Sequence, residues 1–97
     1  MVIKRLEDAG LINIGRANMT EFAYSGLGLN PHYGTPKSVY DRATGRCPGG
    51  SSSGSAVSVA DNIVSATVGT DTGGSCRTPA AFNNIVGFKP SCGRMPS

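Results

Sequence analysis

The chain has 97 residues, a formal net charge of +3 at pH 7 and a hydrophobic fraction of 38%. This length allows at most one small domain, and substantial apolar content with low net charge excludes an intrinsically disordered chain. The nine lysines and arginines are scattered along the sequence, so we expect no direct contact with nucleic acid.

Cysteine usage and hydropathy restrict the class further. The three cysteines include no Cys-x-x-Cys pair, which argues against a disulfide framework and against a zinc site. We therefore expect a reducing, cytoplasmic location and no metal or other cofactor. No apolar run reaches the length of a membrane span, so we expect no membrane association.

The first predicted element is the end of a helix over residues 1–9. Its apolar residues recur near helical spacing, and Gly10 is a natural C-terminal stop. Residues 11–14 follow as a short buried strand.

Asn18, with Glu21 three positions later, has the pattern of a helix-start capping pair. It predicts a short helix that continues through residues 22–24. Residues 25–53 show no periodicity and are punctuated by glycine and proline. Such a stretch is uncommon inside a self-contained domain, so we expect either a functional loop held by other parts of a larger protein or a linker.

The next predicted helix is capped by Ser53 or Ser55. Its apolar face follows the i, i+3, i+4, i+7 pattern and consists of Ala56, Val59, Ala60, Ile63 and Val64. Residues 65–68 are predicted to form a short core strand that leads into a second glycine-rich loop.

A third helix is predicted from Thr78 as its N-cap and Pro79 as its first residue. It is short and ends at Phe82 or Asn84. The apolar run 85–88 follows it. The chain starts within a helix and finishes at residues 95–97 without a closing element, so we expect a fragment that lacks parts of its domain at both ends.

Two loops dense in glycine and serine, residues 49–55 and 69–79, flank the second predicted helix. Ser51 and Ser75 lie 75 − 51 = 24 residues apart, and a loop–helix–strand–loop path of this length can bring them together. Glycines allow successive N–H groups to turn inward and hold an anion. We expect Ser75 to be a nucleophile, with oxyanion donors supplied by the amides of Thr72, Gly73, Gly74 and Ser75.

These loops also carry a resemblance. The matching stretches are residues 49–55, residues 69–75, Arg77, residues 79–82 and residues 87–90, with a weaker match at residues 15–22. Together they resemble the signature of the amidase signature family of serine amidohydrolases. The resemblance covers most of the chain, and its motif is long and specific in spacing.

The resemblance implies an α/β fold in which helices surround a mixed β-sheet, with residues 1–97 forming an incomplete part of that domain. It implies that Ser75 forms an acyl ester with the substrate. It also implies that Ser51 follows a cis peptide bond with Gly50 and relays the proton from Ser75 to a lysine base.

The loops contain further candidate residues. Asp71 and Arg77 are expected to fix the loop that carries Ser75 (residues 69–79, the nucleophile loop) by charge-assisted hydrogen bonds. The alternative is two exposed charges. Ser52 is expected to give structural support. The resemblance implies that Ser25 lies near the acyl group or the oxyanion, although a simple turn serine is the alternative.

The base itself is not assigned. The resemblance places the lysine well over fifty residues before the relay serine, and only fifty residues precede Ser51. Lys4, Lys37 and Lys89 do not match the lysine motif. An isolated chain of these 97 residues is therefore expected to be close to inactive.

The leading hypothesis is an amidohydrolase fragment that cleaves a small-molecule carboxamide and needs the remainder of an amidase domain. A glutaminase-type subunit of a tRNA-dependent amidotransferase is the nearest alternative. A non-catalytic remnant and a phosphate-binding module stay open. A further alternative is a thiol nucleophile formed by Cys76 with His32, which is supported only by the presence of both residues.

Overall fold

A computed structural model describes residues 1–95 of the chain. Three α-helices and one 3₁₀ helix lie in these residues. In chain order they are α1 (Val2–Asp8), the 3₁₀ helix (Glu21–Ala23), α2 (Ser53–Ala60) and α3 (Arg77–Phe82). The sequence predicts no closing element at residues 95–97, and residues 96–97 of that stretch lie outside the described residues.

Helix α1 agrees with the sequence prediction for residues 1–9. Gly10 follows it at φ +93°, and its N–H donates to the carbonyl of Glu7 at 2.9 Å, as expected of a C-terminal glycine. Lys4 and Asp8 form an ion pair along the exposed surface, with Nζ and Oδ1 3.0 Å apart. No residue of α1 is buried.

The second short helix is smaller than predicted. The structure has one 3₁₀ turn, Glu21–Ala23, and Thr20 rather than Asn18 occupies the N-cap position. The Asn18 side chain instead donates to the carbonyl of Gly34 at 2.5 Å. The predicted capping pair is therefore wrong, because Asn18 is used to hold the following loop.

Helix α2 begins at Ser53 and ends a turn earlier than the predicted apolar face. Ser52 occupies the N-cap position without capping the helix through its side chain. The chain leaves the helix at Asn62, which adopts φ +57°, a conformation that asparagine tolerates better than most residues. Ile63 consequently lies outside the helix and is 66% exposed.

Helix α3 starts before the predicted cap, with Cys76 in the N-cap position and Arg77 as the first helical residue. Pro79 is thus the third residue of the helix. It is tolerated there because the first-turn amides have no intrahelical partner. The helix ends at Phe82, the earlier of the two predicted ends.

The strands predicted at residues 11–14 and 65–68 are absent, and no strand occurs in residues 1–95. The α/β class is therefore not confirmed by the described residues, which form helices and loops only. A strand requires hydrogen bonds to a neighbouring strand, and neither segment makes any with the other. The apolar run 85–88 is also not a strand, and Val86 is 94% exposed.

Residues 25–52 contain neither helix nor strand, as the lack of periodicity predicts. Side chains hold this long loop in place. Asn30 donates from Nδ2 to the carbonyl of Met19 at 2.8 Å, and its Oδ1 accepts the N–H groups of His32 and Tyr33 at 3.0 Å. The segment is thus an ordered loop and not a plain linker.

The interior is small and largely polar, and it lies where α2 and α3 pack together. Its buried apolar side chains are Ala56, Val57 and Ala80. The buried polar residues are Thr20, Asn30, Ser38, Ser51, Ser52, Ser53 and Asn83. The first glycine- and serine-rich loop therefore contributes Ser51, Ser52 and Ser53 to the interior, whereas most of residues 69–79 lie at least partly exposed. No helix within residues 1–95 has the length and hydrophobicity needed to cross a membrane.

Candidate active site

The loop before α2 and the loop before α3 are joined directly. The main-chain N–H of Ser52 donates to the carbonyl of Ser75 at 3.2 Å. The Ser52 hydroxyl bonds both main-chain groups of Thr70, accepting its N–H and donating to its carbonyl, each at 3.3 Å. Ser52 therefore fixes the separation of the two loops, and Ser51 adjoins the Ser52–Ser75 contact.

Ser51 is completely buried, and the Gly50–Ser51 peptide bond is cis, as the resemblance implies. Its carbonyl accepts the N–H groups of Thr20 at 3.0 Å and of Ser53 at 2.9 Å. Its hydroxyl has no hydrogen-bond partner among the described residues. A buried polar group left in this way costs about 1–3 kcal/mol, so this hydroxyl has an unused capacity to donate and accept.

Ser75 is half-buried and lies two residues before α3. The glycines ahead of it serve different purposes. A Cβ added at Gly73 would meet nothing within 4 Å, whereas Gly74 adopts φ +132°, which side-chain-bearing residues rarely do. The loop is thus open to solvent on the Gly73 side.

The four amides predicted as oxyanion donors are not equivalent. The N–H of Gly74 donates to Asp71 Oδ1 at 2.9 Å, so this amide is already engaged. Within residues 1–95, the amides of Thr72, Gly73 and Ser75 make no hydrogen bond. The four predicted oxyanion donors therefore divide into the Gly74 amide, which Asp71 already holds, and three amides without a partner in the described residues.

Asp71 is the hub of the nucleophile loop, and its side chain is 3% exposed. Its Oδ2 accepts the Cys76 N–H at 3.1 Å, the Arg77 N–H at 3.4 Å and Arg77 Nε at 3.0 Å. Arg77 also donates to Oδ1 at 3.0 Å. The Arg77 guanidinium, with smaller help from the main-chain amides, holds the pKa of the Asp71 carboxyl well below its usual range against the effect of burial.

Cys76 faces the Ser52 side of the site. Burial raises the pKa of its thiol, and a hydrogen bond with Ser52 opposes that rise. A Cβ added at Gly69 would lie 2.6 Å from Ser52 Oγ and 2.9 Å from Cys76 Sγ. His32, the other half of the thiol-pair alternative, instead pairs with Glu21, with Nε2 and Oε1 3.4 Å apart.

Ser25 is used within its own turn. Its hydroxyl accepts the Leu27 N–H at 3.2 Å. Its main chain nevertheless borders the loop that carries Ser51, residues 49–55, here called the relay loop. A Cβ added at Gly50 would lie 2.9 Å from the Ser25 carbonyl oxygen, and the Gly50 N–H donates to the Gly26 carbonyl at 2.7 Å. The Ser25 side chain therefore serves its own turn, whereas the main chain of Ser25 and Gly26 lies beside the loop that carries Ser51.

Sequence reasoning missed Asn83, which is 2% exposed and directly follows α3. It joins residues that are distant in sequence. Its Nδ2 donates to the carbonyls of Pro48 at 2.7 Å and Pro79 at 2.8 Å. Neither periodicity nor spacing distinguishes it from the adjacent Asn84, which is exposed.

Neither of two grooves in the described residues is lined by Ser51 or Ser75. One has a volume of ≈ 570 Å³ and borders Ser52, Asp71, Cys76 and parts of residues 85–95. The other has a volume of ≈ 650 Å³ and borders residues 16–19, 21–22, 30 and 32–33. No cluster of three metal-ligating side chains occurs in the described part of the chain.

Comparison with known proteins gives a consistent set of relatives. The family model described as Amidase matches residues 1–97. Over 94 residues, the chain is 53% identical to a glutamyl-tRNA(Gln) amidotransferase subunit from Lactococcus lactis subsp. cremoris (strain SK11). It is 49% identical to the protein of the same name from Ralstonia nicotianae and 47% identical to that from Oenococcus oeni.

Each of these alignments covers 97% of the chain but 19% of the relative. The chain thus spans about a fifth of the length of the relatives that it matches. No solved structure shows significant similarity to it.

Proposed function

The chain belongs to the amidase family, and we propose that it supplies the two serines of an amidohydrolase site. In this proposal Ser75 attacks the carbonyl carbon of a carboxamide while Ser51 takes the Ser75 proton and passes its own to a base. The carbon–nitrogen bond breaks, and the leaving nitrogen takes up a proton. Water then hydrolyses the acyl ester and releases a carboxylic acid.

The observation that carries the proposal is the state of Ser51. Its hydroxyl is fully buried and unpartnered in residues 1–95, one residue from the hydrogen bond that joins the two loops. Buried hydroxyls are normally satisfied, so a polar partner is expected here. A basic amine matches this need, because a neutral amine accepts the serine proton.

The amides of Thr72, Gly73 and Ser75 are the proposed oxyanion donors. Asp71 supports this role by engaging the amides of Gly74 and Cys76 on either side of Ser75. A loop fixed in this way stabilises developing charge without reorganising during the reaction.

The base and much of the fold are proposed to come from the remainder of an amidase domain. Exposed apolar side chains support this view, including Phe22 at 89%, Tyr24 at 93% and Phe88 at 79% exposed. We propose that residues 11–14 and 65–68 become strands when such a partner supplies the hydrogen bonds that they lack here. The α/β arrangement therefore remains part of the proposal.

The substrate is proposed to be a small carboxamide, processed in the cytoplasm without direct contact of these residues with nucleic acid. The relatives' names favour a second candidate, a glutaminase-type subunit of a tRNA-dependent amidotransferase. A non-catalytic remnant is the third, since no lysine in the chain is assigned as the base.

A fluorophosphonate probe tests the proposal on the folded 97-residue chain. We expect slow covalent labelling at Ser75, identified by peptide mass spectrometry, that disappears in Ser75→Ala. Ser91→Ala is the matched control, because Ser91 is exposed and its side chain makes no hydrogen bond in the described structure. A folded chain that takes up no probe at Ser75 would favour the remnant.

A further inference from the structure

Asn83 links the entrance of the relay loop to the segment that carries the nucleophile. Its two amide hydrogens go to the carbonyls of Pro48 and Pro79, and its Oδ1 accepts the Val39 N–H at 3.2 Å. Both donors of the carboxamide are therefore used, and all three partners are main-chain groups.

The placement of Pro48 gives these bonds their importance. Pro48 directly precedes Gly49, which adopts φ +73° and lies so close to α3 that an added Cβ would be 2.9 Å from Pro79 Cα. Asn83 thus holds the entrance of the relay loop against the first turn of α3. Its burial makes each lost bond costly, because water does not replace it.

The exit of the same loop is held independently. Ser52 N–H donates to the Ser75 carbonyl, so the segment around Ser51 is fixed on both sides to the part of the chain that carries Ser75. Nothing comparable involves Asn84, which is exposed and makes no side-chain hydrogen bond in residues 1–95.

We propose that Asn83 is a positioning residue that sets the alignment of Ser51 with Ser75. This inference rests on the proposed function, since alignment matters only if the two serines exchange a proton. Displacement of a reacting group by about 1 Å costs up to roughly 100-fold in rate, so a shift of the loop entrance is measurable.

Asn83→Asp is the test variant, because it keeps the size and the acceptor but removes both donors. Asn84→Asp makes the same chemical change one residue away on the surface, and aspartate tolerates the φ of +54° found there. The first measurement is amide hydrogen exchange of the whole 97-residue chain. In Asn83→Asp we expect the Ser52 amide to exchange about tenfold faster or more. The amide of Asp61, which donates to the Val57 carbonyl at the C-cap of α2, should be unchanged.

The second measurement is the maximal fluorophosphonate labelling rate at Ser75 in the folded population. We expect a decrease of about tenfold or more in Asn83→Asp, and no change in Asn84→Asp. A merely structural role would accelerate exchange throughout the chain and leave the rate per folded molecule unchanged. Either of these results would overturn the proposal.

The two measurements also separate this inference from the proposed function. Normal labelling in both the wild-type chain and Asn83→Asp would remove the positioning role and leave the nucleophile in place. A different result would be no labelling of wild-type Ser75 combined with faster exchange of the Ser52 amide alone in Asn83→Asp. This result would reject the proposed function, and Asn83 would then hold the two loops together without a role in a reaction.

Discussion

The main-chain N–H of Ser52 donates to the carbonyl oxygen of Ser75 at 3.2 Å, across 23 positions of sequence (75 − 52). One hydrogen bond thereby connects the loop that precedes α2 with the loop that precedes α3. The hydroxyl of Ser52 adds two bonds to Thr70. The relative position of the two loops is consequently set by short polar contacts, and changes to the groups around Ser52 provide direct tests.

Gly69→Ala tests the close approach of the loops at Ser52. The new methyl group would lie 2.6 Å from Ser52 Oγ and 2.9 Å from Cys76 Sγ, so both side chains or the loop itself must shift. We expect a loss of about 1–3 kcal/mol in the free energy of unfolding, measured by urea denaturation. Gly73→Ala is the matched control, with no atom within 4 Å of its added Cβ, and an equal loss there would contradict the explanation.

Asp71→Asn tests the hub of the nucleophile loop. Asparagine keeps the shape but places an N–H₂ group where amides and Arg77 now donate to carboxylate oxygens. We expect a stability loss of about 1–3 kcal/mol and slower labelling of Ser75. Asp8→Asn changes an exposed pair with Lys4 and is expected to cost about 0.5 kcal/mol or less. Similar losses in both variants would argue against a hub.

The same carboxylate predicts a pH dependence. Because the pKa of Asp71 is depressed in the folded chain, its contribution is present above the unfolded pKa of about 3.9 and is lost as the pH falls through the lower folded value. The stability difference between the wild-type chain and Asp71→Asn should therefore be constant from pH 7 to about pH 5 and shrink below about pH 4. Urea denaturation of both chains across this range measures it, and a difference that grows in acid would contradict the assignment.

The two loops of the candidate site could be predicted from sequence because their signal is local. The glycines and serines at residues 49–55 and 69–75 mark the two loops, and the resemblance implies the cis bond before Ser51, which the structure contains. Asn83 gave no such signal, because its importance comes from carbonyls at Pro48 and Pro79 that only the folded chain brings to it.

The features that the sequence did not predict have a related cause. Residues 11–14 and 65–68 have the apolar character of strands, but a strand depends on a partner that residues 1–95 do not provide. Gly74 was expected to donate to an oxyanion, and the competing acceptor on Asp71 could not be placed from spacing alone. Sequence patterns therefore predict the positions of the loops better than the partner that each polar group takes.

Cys76 and Cys92 are expected to differ in reactivity towards a maleimide. Cys92 is exposed, whereas Cys76 is partly buried and burial raises the pKa of its thiol. A raised pKa leaves less thiolate at neutral pH, and the thiolate is the reactive form. Mass spectrometry over time should show Cys92 modified first, with Cys76 reacting appreciably only at higher pH. Faster modification of Cys76 at pH 7 would contradict this environment.

Ser51→Ala separates a functional hydroxyl from a structural one. The Ser51 hydroxyl is buried without a partner in the described residues, so its removal gives up no hydrogen bond. We expect the free energy of unfolding to stay the same or to rise slightly. Ser38→Ala is the control, because the buried Ser38 hydroxyl donates to the Phe82 carbonyl and accepts the Tyr40 N–H, each at 3.2 Å. That variant is expected to lose about 1–3 kcal/mol.

The two variants should show the opposite order when Ser75 is labelled with the fluorophosphonate. General acid–base assistance contributes about 10²- to 10⁴-fold to a rate when its base is in place. The base is proposed to lie outside this chain, so the loss of the relay in Ser51→Ala should slow labelling by less than this range, but still by more than Ser38→Ala does. Unchanged stability together with slow labelling is the result expected of a proton relay. Substitution of a residue that only packs would instead lower the free energy of unfolding. A Ser51→Ala chain that is labelled as fast as wild type would remove Ser51 from the reaction, whatever its effect on folding.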